Sequence, residues 1–265
     1  MAGPARCRPG FSAALALLTI LAAACGPRTD AAMRNDAPPP VAAPENSLAG
    51  ATPLYEPDVR EMATGNAAFS GIRIQGWVRE DLKWPNTRIN VCWESLDPAF
   101  STERRWVEDA VTQSWEAYSA LDFTGFERCT PGAPGIHVRV ADEGALTQGL
   151  GRQVDGISNA MTLNFTYGSW NHSLCTRDAA TRESCIRANA VHEFGHAIGF
   201  VHEHNRHDTP SSCTAGGEDG VGNLILTPWD PLSVMNYCNR DRLLQGGRLS
   251  LLDQHAVEQF YGNEM

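Results

Sequence analysis

Read from its first residue, the chain changes pattern twice. One short apolar run, Phe11 to Ala24, stands behind two arginines, Arg6 and Arg8. From Gly26 to about Arg60 alanine and proline take over, as in Ala37-Pro38-Pro39-Pro40, and no apolar period of helix or strand runs through the segment. Apolar patterning then begins with Ile72, Ile74 and Trp77 and persists. One domain is therefore expected over residues 69–265. Ahead of it lies a disordered Ala/Pro-rich tether over 25–68, and residues 1–24 form a targeting segment.

Within the domain, Thr87 to Trp93 alternates Ile89, Val91 and Trp93 on one face, as a strand does. Ser101 can cap a helix from Thr102 to Leu121, with Trp106, Ala110, Val111, Ala117, Tyr118 and Leu121 at helical spacing. Gly135 to Ala141 and Met161 to Thr166 read as two further strands, and the glycine-broken stretch Leu146 to Val154 as an irregular edge strand. A second helix is expected from Arg187 to Ile198, burying Ile186, Ala190, Val191, Phe194, Ala197 and Ile198. A long loop, Asp208 to Thr227, follows. Ser250 and Asp253 form a capping box that opens a last helix, Leu251 to Phe260, stopped at Gly262. This order predicts an α+β fold. A twisted mixed sheet and two long helices fill the N-terminal half, and a cleft separates them from a helix-poor C-terminal half ending in a helix.

Composition narrows the setting. The apolar run is too short for a comfortable membrane span and ends Ala22-Ala23-Ala24-Cys25, so residues 1–24 read as a secretory signal. Small residues before a cysteine resemble a bacterial lipobox, which would make Cys25 a lipidated mature N-terminus and attach the protein to a membrane. Ordinary cleavage at the same A-x-A bond is the alternative, and would release it. The net charge is −10 and there is no basic block, which removes electrostatic support for nucleic-acid binding. A monomer is expected.

Of the eight cysteines, Cys7 falls within the signal and Cys25 is either the lipid site or a free thiol, leaving Cys92, Cys129, Cys175, Cys185, Cys213 and Cys238. An even number in an exported chain suggests three disulfides, with fifteen possible pairings. Short range favours Cys175–Cys185. Cys213–Cys238 would tie the long loop to the segment beyond Met235, which leaves Cys92–Cys129. A second zinc site built from cysteines is the rival reading.

The chemistry concentrates in Val191 to Arg206, VHEFGHAIGFVHEHNR. On a helix His192 and His196 are turned roughly 400° apart, so both imidazoles leave one face. Glu193 lies about 60° round from His196, beside that direction. Gly199 accepts the positive φ that lets the chain leave the helix, and His202 can swing back to the same point. Three neutral imidazoles with a fourth position open make a catalytic zinc site, one ion per chain, and Glu193 is placed to take a proton from water there. Calcium is a further, weaker possibility in the loop Gly216 to Asn223, through Glu218 and Asp219.

The string matches H-E-x-x-H-x-x-G-x-x-H, the metzincin signature. It extends through Phe200, Glu203, Arg206 and Asp208, and Ser233, Met235 and Tyr237 follow as S-x-M-x-Y. On these residues the chain resembles an astacin-like metzincin zinc endopeptidase. The resemblance implies a metzincin-like zincin fold and a methionine turn at Met235 beneath the metal. It also implies that Tyr237 is a fifth ligand at rest, which swings away to stabilise an oxyanion. The pattern departs at Thr209-Pro210, where Arg-Asp is usual, and at Asn236, where His is usual. Glu203 would meet a freed N-terminus in that family, but here it can serve as an internal salt-bridge partner. A matrixin-like assignment in the same clan keeps the ligands and the base and makes Tyr237 structural.

The function expected is peptide-bond hydrolysis, with a protein or peptide substrate lying extended along an edge strand. A surface adhesin or binding lipoprotein that keeps zinc for structure is the reading from a different class. It has no need of Glu193, and structural zinc sites are usually closed by four protein ligands.

Overall fold

The computed structural model describes residues 77–169, 173–215 and 221–263. The signal, the tether, Cys25 and the acidic pair Glu218 and Asp219 lie outside these residues. A five-stranded sheet runs in the order β3-β2-β4-β6-β5. Its strands are β2 (Arg88–Trp93), β3 (Asp122–Arg128), β4 (Ile136–Val140), β5 (Leu146–Thr147) and β6 (Met161–Leu163). The first four in spatial order are parallel, and the edge strand β5 is antiparallel to β6. Ile89, Val91, Trp93, Ile136, Val138, Met161 and Leu163 are buried along them. Two helices, α1 (Ser101–Thr112) and α2 (Ala179–Ala197), pack on each other and on this sheet. A two-stranded antiparallel sheet, β1 (Trp77–Val78) with β7 (Leu224–Ile225), and a last helix, α3 (Leu251–Tyr261), complete the described strands and α-helices. The expected mixed α+β fold with a helix-poor second half is the one observed.

The departures have local causes. Helix α1 ends at Thr112 rather than Leu121. The Ser114 hydroxyl takes the Ala110 carbonyl at 2.6 Å, and the chain turns so that the Trp115 indole donates to the Val191 carbonyl at 2.8 Å. Its buried stripe is Val107, Ala110 and Val111, while Ala117 and Tyr118, expected on that stripe, are exposed. Strand β3 has no clean alternation because a bulge sets Gly125 and Phe126 beside Val91 and moves the inward positions out of phase. The third expected strand stops at Leu163, since the Asn164 side chain accepts from the backbone N–H groups of Thr166 (2.9 Å) and Tyr167 (2.8 Å) and bends the chain away. Helix α2 starts about two turns before Arg187, capped by Asp178, whose carboxylate accepts from the Thr181 backbone at 2.7 Å.

Among the described residues three disulfides form, Cys92–Cys129, Cys175–Cys185 and Cys213–Cys238. With all six thiols paired, the rival cysteine-based zinc site is ruled out. Among the described residues no helix is long and apolar enough to cross a membrane.

Trp115 is wholly buried between α1 and the part of α2 that carries the histidines. Trp115→Phe keeps a ring but deletes the indole donor, leaving the Val191 carbonyl short of a partner. The expected loss is about 1–3 kcal/mol of unfolding free energy. It should appear as a lower urea midpoint with an unchanged slope, and an unchanged midpoint would contradict the packing described.

Candidate active site

From Ala188 onward α2 is buried on all sides, so its polar residues sit inside the protein rather than on a solvated face. His192, Glu193 and His196 are each nearly inaccessible. The helix ends in a turn in which Phe200 N–H donates to the Gly195 carbonyl at 2.9 Å, with Gly199 at φ +102°. That reversal delivers Phe200 and His202 back towards the same face. Arg79 N–H on the Gly199 carbonyl (2.9 Å) and Val201 N–H on the Trp77 carbonyl (3.1 Å) hold it in place.

Two backbone carbonyls then set the chemistry of the imidazoles. His192 Nδ1 lies 2.7 Å from the Val234 carbonyl, and His196 Nδ1 lies 2.9 Å from the Phe200 carbonyl. A carbonyl can only accept, so each Nδ1 carries the proton and each Nε2 presents a lone pair. Those Nε2 atoms lie 3.0 and 3.1 Å from His202 Nε2. Two nitrogens on a tetrahedral zinc with bonds of 2.0–2.1 Å would be about 3.3 Å apart, so the donor set fits such an ion closely. Burial lowers the pKa of His192 far below its ordinary value, with His196 adding to the effect, and burial likewise brings His202 down to about 2. His192 and His202 are therefore neutral and available as ligands.

The turn beneath them is built from hydrogen bonds to carboxylates. Asp253 accepts from the Ser233 hydroxyl (2.6 Å) and from the backbone of Val234 (2.9 Å) and Ser250 (3.1 Å). It thus joins the capping box of α3 to the residue whose carbonyl orients His192. Ser250 in turn donates to Asp230. Glu203 accepts from Arg206 (3.0 Å) and from Asp230 N–H (2.9 Å), and its own N–H donates to the Met235 carbonyl at 3.0 Å. Glu203 therefore has the internal salt-bridge role. Burial raises the pKa of the Glu203 carboxyl against the pull of Arg206, and raises that of Asp253 with Asp230 adding to it. Arg206 also grips Asp208 through two bonds of 2.8 and 2.7 Å. Asn236 clamps the turn by donating to the Asp230 carbonyl (2.7 Å) and accepting from Cys238 N–H (2.9 Å).

Met235 is buried directly under α2. A Cβ on Gly195 would come within 2.4 Å of the Met235 sulfur and 3.0 Å of Trp115, so only glycine lets the turn approach this closely. Tyr237 is partly exposed and stacks on the His192 ring at 5.2 Å and the His204 ring at 4.7 Å, with the His202 ring 4.4 Å away. The Arg242 guanidinium lies 4.8 Å from the centre of its ring.

A cavity of about 230 Å³ opens over this group, lined by Glu193, His196, His202 and Tyr237 on one side and by residues of the β5 segment on the other. The structure brings His192, His196, His202, Glu193, Tyr237 and the Met235 turn together. The cysteines are not part of the site. Sequence reasoning missed Thr147 and Arg242, which reach the site from separate segments with no spacing that points to them, and His204, which lies two residues past His202 but at no position of the motif. It also missed the carbonyls of Val234 and Phe200, since backbone groups have no signature.

No protein-family model matches the sequence, and no curated protein matches it. Among solved structures the chain is similar to myroilysin, at 21% identity and a TM-score of 0.52 over 72% of this chain and all of that one. This likeness shows a shared fold. A weaker likeness, 18% identity and a TM-score of 0.43, links 69% of this chain to 94% of high choriolytic enzyme 1, a hatching-enzyme zinc protease of the medaka fish Oryzias latipes.

Gly195→Ala tests the close approach of the turn. The added methyl must push Met235 and Trp115 apart, at a cost of about 1–3 kcal/mol. Because Val234 moves with the turn, metal affinity should fall about tenfold or more although no ligand has changed. Wild-type melting temperature and metal affinity in this variant would contradict the geometry.

Proposed function

We propose that the chain is an exported zinc endopeptidase. One observation carries the reading. Three imidazole nitrogens converge within 4.8 Å of one another, and the Glu193 carboxylate opens on the same cavity. His192, His196 and His202 would hold the ion through Nε2. Zinc bound there supplies Lewis-acid polarisation of a carbonyl and a lowered pKa for water. Glu193 takes the proton from the attacking water and passes it to the leaving amine. Tyr237 donates to the carbonyl oxygen as charge develops on it. The outer edge of β5 pairs with an extended peptide. A zinc-keeping adhesin has no use for a buried carboxylate facing an open cavity.

Three disulfides accord with an oxidising compartment outside the cytosol. The small residues before Cys25 support a lipid on that cysteine, with residues 25–68 holding the catalytic domain of residues 69–265 off a membrane.

Purified protein should carry one zinc per chain and cleave peptides in a chelator-sensitive manner. His192→Ala, His196→Ala or His202→Ala should each lose the metal. Glu193→Gln should keep zinc and fold but lose nearly all turnover. Metal retained in all three histidine variants, or an undiminished kcat in Glu193→Gln, would overturn the assignment.

Tyr237→Phe tests the astacin-like part of the reading separately. It keeps the ring and its stacking and removes only the phenol. Loss of one oxyanion donor should lower kcat about 10²–10³-fold with KM and zinc affinity little changed. A kcat within about twofold of wild type would make Tyr237 structural and favour the matrixin-like alternative.

A further inference from the structure

Thr147 stands where two parts of the site meet. It belongs to β5, the outer strand of the five-stranded sheet, whose segment lines the cavity. Thr147 is paired with Met161 and Leu146 with Thr162, and Gln148 N–H donates to the Ala160 carbonyl at 2.8 Å. Backbone groups alternate in direction along an antiparallel strand. Leu146 and Gln148 therefore face β6, and the N–H and C=O of Thr147 face the open edge. Side chains alternate too, and that of Thr147 turns towards α2 while neighbouring Leu146 is exposed.

The Thr147 hydroxyl lies 2.8 Å from Glu193 Oε2 and 3.0 Å from the Glu193 carbonyl oxygen. Both are acceptors, so the hydroxyl is the donor, sharing one proton between them. A hydroxyl that donates to an ionised carboxylate makes a charge-assisted bond. It also fixes the plane of a side chain that otherwise has three rotatable bonds. One residue thus holds two contacts that a peptidase must coordinate, its backbone offered to the substrate strand and its hydroxyl on the base.

We infer that Thr147 is a positioning residue that couples docking of the peptide on the β5 edge to the aim of Glu193. Pairing of the peptide with the Thr147 backbone seats the strand, and the seated strand holds the carboxylate in its working orientation. This rests on Glu193 being the base, and that premise is tested alongside. A threonine that merely tied β5 to α2 through the Glu193 carbonyl would, on losing its hydroxyl, lower the melting temperature and leave kcat unchanged. Valine has the shape of threonine, keeps the β-branch suited to a strand and lacks the donor. Serine keeps the donor and loses the methyl.

The experiment uses the full chain and a fluorogenic peptide containing a bond that the wild type cleaves. Thr147→Val should lower kcat about tenfold to a hundredfold, the loss of one hydrogen bond to a charged group, with KM within about twofold and zinc content unchanged. Thr147→Ser should restore kcat to within about threefold of wild type. If valine is poorly accommodated, Thr147→Ala removes the hydroxyl without adding a methyl and should give the same split. A wild-type kcat in the hydroxyl-free variants, or a serine variant as slow as the valine one, overturns the inference while leaving Glu193→Gln inactive. A Glu193→Gln variant as fast as wild type overturns it through its premise.

Discussion

The bond from His192 Nδ1–H to the Val234 carbonyl is the contact on which the site depends. It joins α2 to the turn around Met235, fixes the tautomer of the first imidazole, and so determines which nitrogen is offered to a metal. The second histidine is set in the same way by Phe200, whose position follows from the reversal at Gly199. Neither carbonyl is a ligand. Both act by removing the alternative tautomer, which would direct a proton rather than a lone pair at the shared point. The third imidazole completes the set because the chain has already been turned back on itself.

Holding Val234 in place takes a buried polar network. Asp253, Ser233, Ser250, Asp230, Glu203 and Arg206 link the start of α3, the turn and the segment after His202. Such groups are costly to bury unless each finds partners, and here carboxylates accept from backbone N–H groups, hydroxyls and one guanidinium. The helix-poor half of the domain therefore owes its order less to regular secondary structure than to this network and the Cys213–Cys238 bridge. Gly195 closes the arrangement from the other side by leaving room for Met235.

What was legible in the sequence is what depends on spacing along one segment. The i, i+4 histidines, Glu193 between them, Gly199 and the capping box of Ser250 with Asp253 all act within a few residues of each other. The cysteine pairs were reached by proximity and elimination. Features that depend on two segments meeting were hidden. Strand β3 lost its alternation to the bulge beside Val91, and α1 gave up its last turns so that Trp115 could reach Val191. β1 and β7 are two residues each, too short for any period to show. Thr147 looked like an ordinary residue of an irregular strand. Its place beside Glu193 follows from the antiparallel pairing of β5 with β6, which no local pattern encodes.

In the function proposed here, three oriented imidazoles and no sulfur hold one catalytic zinc with room left for a reacting molecule. Zinc K-edge X-ray absorption on the purified full-length protein tests it most directly. The account predicts three nitrogen scatterers with imidazole outer shells at about 2.0–2.1 Å and one or two oxygens completing the shell. A sulfur scatterer near about 2.3 Å, or a shell closed by four protein nitrogens, would contradict it.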